Sequence, residues 1–189
     1  DYAGLTKYSD YLMIMAYDEH YQSGPAGAVA SLSFAEKSVQ YALKTVPKEK
    51  IVLGLPFYGR IWKNGGGYPQ GYGVSNRKTD ELVRAYGGKV VFDAGSQTPY
   101  AIITIKASDT KPVIGGTSLS AGTYTIWYEN EASIKKKLTL VEKFDIKGTG
   151  SWSLGQETES TWAYYRLWLN GCYFDDAQGH WAQDFILTA

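Results

Sequence analysis

An apolar run near the start of the chain ends abruptly in four polar residues. Residues 11–16 read YLMIMA, and Tyr17, Asp18, Glu19 and His20 follow at once. A tyrosine hydroxyl can donate a hydrogen bond to a carbonyl oxygen, and a carboxylate can orient a substrate or shift the pKa of a neighbouring group. The pattern indicates either the rim of an active site or a strand-to-loop transition whose polar groups cap backbone amides. Spacing alone leaves both interpretations open.

Other kinds of chemistry lack a matching pattern in the sequence. Consecutive residues in a strand or loop diverge, so Asp18, Glu19 and His20 are not expected to share a metal ion. A G-x-S-x-G nucleophile motif does not occur in the sequence. The glycines at 65–67 do not lead from a strand into a helix, as a phosphate-binding loop requires. We therefore predict neither a metal site nor a cofactor.

Composition limits the classes of partner. The 189 residues include 19 Lys+Arg and 19 Asp+Glu, so the formal net charge of zero gives no electrostatic reason to expect nucleic acid or an anionic membrane. No apolar run approaches the roughly 20 residues that span a bilayer. A single cysteine, Cys172, excludes an intrachain disulfide. The 16 Tyr, 6 Trp and 6 Phe either fill the core or, in part, line a cleft in which flat rings stack on sugars.

Three apolar segments are predicted to position the polar residues. Residues 11–17, 51–57 and 148–154 do not alternate apolar with polar and end in polar or aromatic side chains, which is typical of parallel strands buried on both faces. Helices are predicted from the capping-box spacing at 33–36 and from Asn130. The order is β-α-β, an insertion, then α-β-α, and α/β barrels keep their chemistry at the carboxyl ends of such strands.

The insertion is predicted to be a small, mainly antiparallel α+β unit. Residues 63–73 are rich in glycine, and a short helix is predicted at 79–86, with Asp80 and Glu81 in its first turn. The three strands predicted here are 89–92, 100–106 and 123–128. After the insertion, the charge run of Lys135, Lys136 and Lys137 is interpreted as a solvated helix face.

Four motifs, in order along the chain, resemble those of the family 18 glycoside hydrolases, the chitinase family. They are MAYD at 15–18, LGLPFYGR at 53–60, WYEN at 127–130 and GSWSLG at 150–155. They are similar to the family's sixth strand, its seventh strand, the segment that returns from its insertion domain, and its eighth strand. YDEH at 17–20 and the loop after it resemble the bacterial branch that degrades spore or cell-wall peptidoglycan.

The resemblance implies a fold and a domain organisation. The fold class would be α/β: the C-terminal portion of a (β/α)8 TIM barrel, strands six to eight, with an inserted α+β subdomain. Residues 1–62 and 129–171 would form the partial barrel, and residues 63–128 the insertion. Three strands cannot close a barrel, so the exposed sheet edge is expected to be covered, for instance by self-association with another copy.

The resemblance also implies a mechanism. In this family the N-acetyl carbonyl of the substrate attacks the anomeric carbon, so no protein nucleophile is needed. Tyr17 would hydrogen-bond that carbonyl and Asp18 would contact the same sugar, which makes these two the candidate catalytic residues. Trp152 would stack under the distorted ring, unless it is plain core. The candidate substrate-binding residues are Met15, Tyr58, Arg60 and Trp152.

One family motif is missing. The general acid is the last residue of D-x-x-D-x-D-x-E on the family's fourth strand, and that spacing does not occur here. We expect the parent protein to be an enzyme that cleaves β-1,4-linked N-acetylglucosamine polymers, either peptidoglycan or chitin, and this segment alone to be inactive. The alternatives are a lectin-like, wall-associated binding protein that has lost the acid and an independently folded interaction module.

The C-terminal residues suggest an anchoring function. Residues 172–189 resemble the start of an S-layer homology module, with the pattern F-x-D-x-x-G-H-W-A-x-x-x-I. Such modules hold proteins to cell-wall polymers, which would make such a polymer a partner and the parent protein secreted and wall- or spore-associated. The alternative is a C-terminal helix that resembles the module only by chance.

Overall fold

One of the two main sheets of the fold is a three-stranded parallel sheet. The computed structural model describes residues 1–171 and Trp181, so the predicted S-layer segment lies outside the described residues apart from that tryptophan. Strands β1 (Leu12–Ile14), β2 (Ile51–Pro56) and β10 (Gly148–Trp152) run parallel, with β2 in the middle. The predicted parallel arrangement of these three segments is therefore confirmed.

Helices cover one face of this sheet. The helices that share its core are α2 (Leu32–Ala42), α4 (Glu131–Phe144) and α5 (Thr161–Leu169). Helix α1 (Tyr2–Leu5) and a 3-10 helix (Lys48–Lys50) have no buried residue. Leu53, Leu55 and Phe57 bring the sheet into a core shared with Val39 of α2 and Leu138 of α4, all of them buried. Burial of this apolar surface orients the sheet and helices relative to each other.

The other main sheet has five antiparallel strands. In spatial order its strands are β4 (Gln70–Ser75), β3 (Tyr58–Lys63), β9 (Gly122–Trp127), β6 (Thr98–Ile105) and β5 (Lys89–Asp93). Helix α3 (Asn76–Ala85) packs on it over a separate core, and a short hairpin joins β7 (Val113–Ile114) to β8 (Thr117–Ser118). The three strands predicted between 89 and 128 are present with small shifts.

Two strands of this sheet were not predicted as such. Strand β3 pairs with β4 and β9, so the predicted boundary between residues 62 and 63 falls inside it. Strand β4 lies partly in the glycine-rich stretch 63–73, where Gly71 and Gly73 weaken the strand signal. Three glycines with positive φ, Gly65, Gly66 and Gly67, lie in the turn that joins β3 to β4.

Two helix starts differ from the predictions, and one agrees. Helix α2 begins at Leu32, because the Ser31 hydroxyl rather than that of Ser33 caps it, accepting from the Phe34 amide at 3.1 Å. Helix α3 begins at Asn76 after the cap Ser75, so the acidic pair at 80–81 is not in its first turn. The predicted cap at Asn130 is confirmed, with a capping box closed by Ser133.

The lysine run is not a uniformly solvated face. Lys136 is exposed, but Lys137 is fully buried and its ammonium lies 2.7 Å from the carboxylate of Glu129, which is buried as well. The interpretation of Lys137 as solvated is wrong. The residue lies three positions after buried Ile134 and one before buried Leu138, on the inner face of α4.

Candidate active site

The carboxyl ends of the three parallel strands meet at one edge of the first sheet. Strand β2 pairs on one side with β1, Leu53 opposite Ile14, and on the other with β10, Pro56 opposite Trp152. Tyr17 follows β1 by three residues, and Tyr58 follows β2 by two. The register thus brings residues that are far apart in sequence to the same edge, where parallel α/β folds place their chemistry.

Asp18 is the centre of a hydrogen-bonded cluster at this edge. Its Oδ1 accepts from the Tyr58 hydroxyl at 2.7 Å and from Arg60 Nε and Nη2 at 3.0 and 2.7 Å. Arg60 Nη1 donates to the Gly71 carbonyl at 2.7 Å, which ties the cluster to strand β4. No hydrogen bond in the described part of the chain uses Asp18 Oδ2, so that oxygen is available to a ligand. Asp18 adopts a positive φ of 61°, a conformation that Asp tolerates better than most residues.

Two tyrosines at the site remain hydroxyl donors. Burial raises the pKa of Tyr58 well above its usual range, and its hydrogen bond to Asp18 raises it further. Burial and the nearby Asp18 carboxylate also raise the pKa of Tyr17. The two rings meet edge-on with centroids 6.1 Å apart. Both hydroxyls therefore stay protonated near neutral pH, so that of Tyr58 can donate to Asp18 and that of Tyr17 can donate to another acceptor.

Gly54 makes room for Tyr17. A Cβ at Gly54 would lie 2.6 Å from the Ile14 carbonyl oxygen and 3.2 Å from Cε1 of Tyr17. The absence of a side chain in the middle of β2 therefore lets β1 and the tyrosine ring approach closely.

A cleft of about 430 Å³ opens beside the cluster. Its wall includes Asp18, Tyr58 and Arg60, and it also includes Trp152 at the end of β10. Trp152 is 58% exposed, so it is not plain core and its ring is available for stacking. A cleft of this size falls within the range of small-molecule binding sites, roughly 300–1,000 Å³.

Met15 is separated from the other predicted site residues. It is exposed and lines an apolar groove between β1 and α2, together with Leu12 and Phe34, rather than the cleft. The amide of Ala16 donates to the Ile14 carbonyl at 2.9 Å, so a tight three-residue turn at Met15 ends the regular alternation of β1. The structure thus groups Asp18, Tyr58, Arg60 and Trp152 around the cleft, sets Tyr17 against Tyr58, and leaves Met15 outside.

The other two polar residues of the opening motif hold the following loop. Glu19 Oε2 accepts from the Ser31 amide at 2.8 Å, which fixes the entry to α2. His20 Nδ1 lies 2.9 Å from the Ala28 carbonyl oxygen, and its ring lies against Gly27. Of the four motif residues, Asp18 lines the cleft and Tyr17 lies against Tyr58, while Glu19 and His20 contact backbone groups of the following loop.

Sequence reasoning missed several residues that line the cleft. Gln22, Ser75 and Gln156 contribute polar groups, and Tyr72 and Gly73 contribute part of the β4 wall. Gln156 lies four residues after the end of β10, a position that the strand-end rule could have singled out. The β4 residues could not be found because their strand was not predicted.

The described residues hold no cluster of three or more His, Cys, Asp or Glu side chains that could bind a metal ion. Within the same part of the chain, no helix is both long and apolar enough to cross a bilayer.

Comparison with known proteins identifies the family. The family model described as glycosyl hydrolases family 18 matches residues 1–157. The chain belongs to glycosyl hydrolase family 18. Its relatives include an uncharacterized glycosylase of Bacillus subtilis, YvbX, which is 30% identical over 166 residues, 88% of this chain and 44% of the relative.

Two bacterial enzymes are also similar to this chain. The cortical fragment-lytic enzyme of Bacillus anthracis is 26% identical, over 86% of this chain and 35% of that enzyme. The crystal structure of a chitinase from Chromobacterium violaceum superposes with a TM-score of 0.75 and 30% identity, covering 89% of this chain and 48% of the chitinase. The chain thus spans less than half the length of these relatives.

Proposed function

We propose that this chain supplies part of the active site of a glycosidase that cleaves β-1,4-linked N-acetylglucosamine polymers. The observation that carries the proposal is the convergence of Asp18, Tyr58, Arg60 and Trp152 on one cleft, with Tyr17 beside it. An exposed indole and a set of hydroxyl, amide and carboxylate groups suit a sugar, which offers an apolar ring face and a polar rim.

The proposed mechanism is substrate-assisted and retaining. Tyr17 donates a hydrogen bond to the N-acetyl carbonyl and holds it in line with the anomeric carbon, and its raised pKa keeps the proton in place. Asp18 contacts the same sugar through Oδ2, while Tyr58 and Arg60 fix its Oδ1. Trp152 supports the ring at the bond that breaks.

The general acid is proposed to come from a part of the full-length protein outside this chain. The acid motif does not occur in the sequence, and Asp18 is the one carboxylate among the described residues that line the cleft. The chain would then represent strands six to eight of a TIM barrel, with residues 63–128 inserted, and would not hydrolyse glycosides alone. In isolation, the unpaired edge of β1 would associate with another copy.

A further part of the proposal concerns the location of the parent protein. The similarity to cortical fragment-lytic enzymes supports a place at the spore or cell wall, and a secreted parent protein. The S-layer resemblance of residues 172–189 adds a cell-wall polymer as a second partner.

The test is an N-acyl substrate series with the full-length protein. Aryl chitobiosides that carry N-acetyl, N-fluoroacetyl and N-trifluoroacetyl groups should be cleaved at falling rates, because each fluorine makes the attacking carbonyl less nucleophilic. The product should keep the β configuration. Rates that do not depend on the acyl group would contradict substrate assistance.

Removal of one oxygen tests the role of Tyr17. Tyr17→Phe keeps the ring contacts with Tyr58 and Gly54 and removes the donor, so kcat should fall by roughly 10²–10³. Tyr21→Phe, at an exposed position four residues later, is the matched control and should keep the parent rate. Equal rates for the two variants would remove Tyr17 from the mechanism.

A binding protein without hydrolysis is the second candidate. It is favoured by the absence of a second carboxylate among the described residues of the cleft wall. The full-length protein would then bind N-acetylglucosamine oligomers in a Trp152-dependent manner and leave every one of them intact.

A further inference from the structure

The cleft wall has a gap at Gly73 of strand β4. This residue lies directly across from Arg60 in the antiparallel pairing and lines the cleft. A Cβ built on Gly73 meets no atom within 4 Å, and its φ lies outside the range of +20° to +160° that L side chains rarely adopt. Neither the backbone nor a close neighbour therefore requires glycine here, and the missing side chain leaves open space beside the sugar-binding groups.

The described residues that line the cleft around the gap include polar groups but no unpaired charge. The charged residues among them, Asp18 and Arg60, form an ion pair at 2.7 Å, and each of the three guanidinium nitrogens of Arg60 already donates within the protein. Gln22 and Gln156 add two side-chain amides. Gln156 uses its Nε2 on Ser153, and no hydrogen bond in the described part of the chain uses its Oε1.

We infer that Gly73 is a specificity-determining residue, and that the gap takes a bulky substituent of the sugar that begins with an uncharged amide. This inference rests on the proposed function and deepens it. The lactyl group of a muramoyl sugar is joined to its peptide through such an amide, whereas plain N-acetylglucosamine has only a hydroxyl at that position. The free lactyl carboxylate would have to give up water beside a cleft wall whose described residues offer no free cation, which is unfavourable.

The chemistry favours peptidoglycan over chitin as the substrate class. Both polymers present the same N-acetyl group to Tyr17 and the same ring face to Trp152. They differ in the group on the sugar's 3-oxygen, and a gap beside the cluster accommodates that difference. Filling the gap should therefore lower the rate of peptidoglycan cleavage and leave that of chitin cleavage unchanged.

The experiment uses the full-length protein and three tetrasaccharides. One is chitotetraose, the second is a peptidoglycan tetrasaccharide with its peptides, and the third is the same compound after an amidase has removed the peptides. The parent protein should prefer the peptide-bearing compound. Gly73→Leu should lower kcat/KM for it at least tenfold and change the value for chitotetraose less than threefold.

Gly95→Leu is the control. Gly95 lies in the turn between β5 and β6, where the nearest contact of a Cβ is the Asp93 carboxylate at 3.4 Å. This variant should keep the parent's preference, and thermal melts of both variants identify any loss of folding. If Gly73→Leu melts early, Gly73→Ala replaces it, with a smaller loss in the same order.

The outcomes separate the two proposals. Equal losses on all three compounds, no loss on the peptide-bearing one, or a parent preference for the free carboxylate would overturn the inference while the glycosidase proposal stands. If the parent protein neither cleaves nor binds any of the three, the proposed function itself fails.

Discussion

The buried ion pair between Lys137 and Glu129 gives the sharpest stability prediction. Their charged atoms lie 2.7 Å apart, and each side chain is 1% exposed. Glu129 follows strand β9, and its amide donates to Oδ1 of Asn76, the first residue of α3. The pair therefore joins α4 to the last strand and the helix of the antiparallel sheet.

Lys137→Met removes the cation and leaves a buried carboxylate. Breaking one partner of a buried pair costs about 3–5 kcal/mol, a large part of the roughly 5–15 kcal/mol that stabilises a typical domain. Lys136→Met, at the exposed neighbouring position, should change the free energy of unfolding by less than about 0.5 kcal/mol. Adding Glu129→Leu to Lys137→Met should recover much of the loss, since the orphaned charge is then gone.

The stability of Lys137→Met should depend on pH in a direction that follows from the pKa of Glu129. Burial raises the pKa of Glu129, and the Lys137 ammonium opposes that rise. In Lys137→Met the opposition is lost, so the folded-state pKa lies further above the unfolded value and the folded protein prefers the neutral acid. Its stability should thus decrease as pH rises from the unfolded pKa through the folded one. The deficit should be smallest in acid and largest at neutral pH.

Urea denaturation at several pH values, followed by tryptophan fluorescence, measures these differences. Equal unfolding free energies for Lys137→Met and Lys136→Met would refute the buried pair. A double variant less stable than Lys137→Met alone would refute the argument that the uncompensated charge is the source of the loss.

Three further predictions concern the cleft and the strands that support it. Trp152→Ala should weaken the binding of N-acetylglucosamine oligomers, measured by calorimetry, at least about tenfold, or ~1.4 kcal/mol. Trp162→Ala on α5 is the control and should not weaken it. Equal losses in the two variants would argue against stacking on Trp152. Gly54→Ala should cost about 1–3 kcal/mol in denaturation experiments, because its Cβ meets a backbone carbonyl; an unchanged midpoint would contradict that contact. Since the pKa values of Tyr17 and Tyr58 are raised above 10.0, oligomer binding should not fall through their ionisation between neutral pH and pH 10.0; a fluorescence titration with a midpoint in that interval would contradict this.

The parallel strands could be predicted because their signal is local and strong. Each is a short apolar run that ends in polar residues, and the helices between them carry recognisable caps. Given parallel strands, the meeting of Asp18 with Trp152 follows, since carboxyl ends share an edge. The contact of Arg60 with Asp18 does not follow from strand order alone, because Arg60 lies on β3 of the other sheet.

Two features were missed for different physical reasons. Strand β4 carries glycines and alternates weakly, so its pairing partners rather than its own residues decide its conformation. Lys137 was interpreted as solvated because it lies in a run of three lysines, although its spacing from Ile134 and Leu138 places it on the buried side of α4. Its partner Glu129 lies before the helix begins, where helix periodicity gives no signal.

The most direct test of the central claim is a crystal structure of the full-length protein bound to an uncleaved N-acetylglucosamine oligomer. The account predicts one sugar whose ring lies on Trp152, with its N-acetyl carbonyl within hydrogen-bond distance of the Tyr17 hydroxyl and Asp18 Oδ2 on the same residue. An oligomer seated elsewhere, for instance in the apolar groove beside Met15, with Tyr17 and Trp152 untouched, would contradict it.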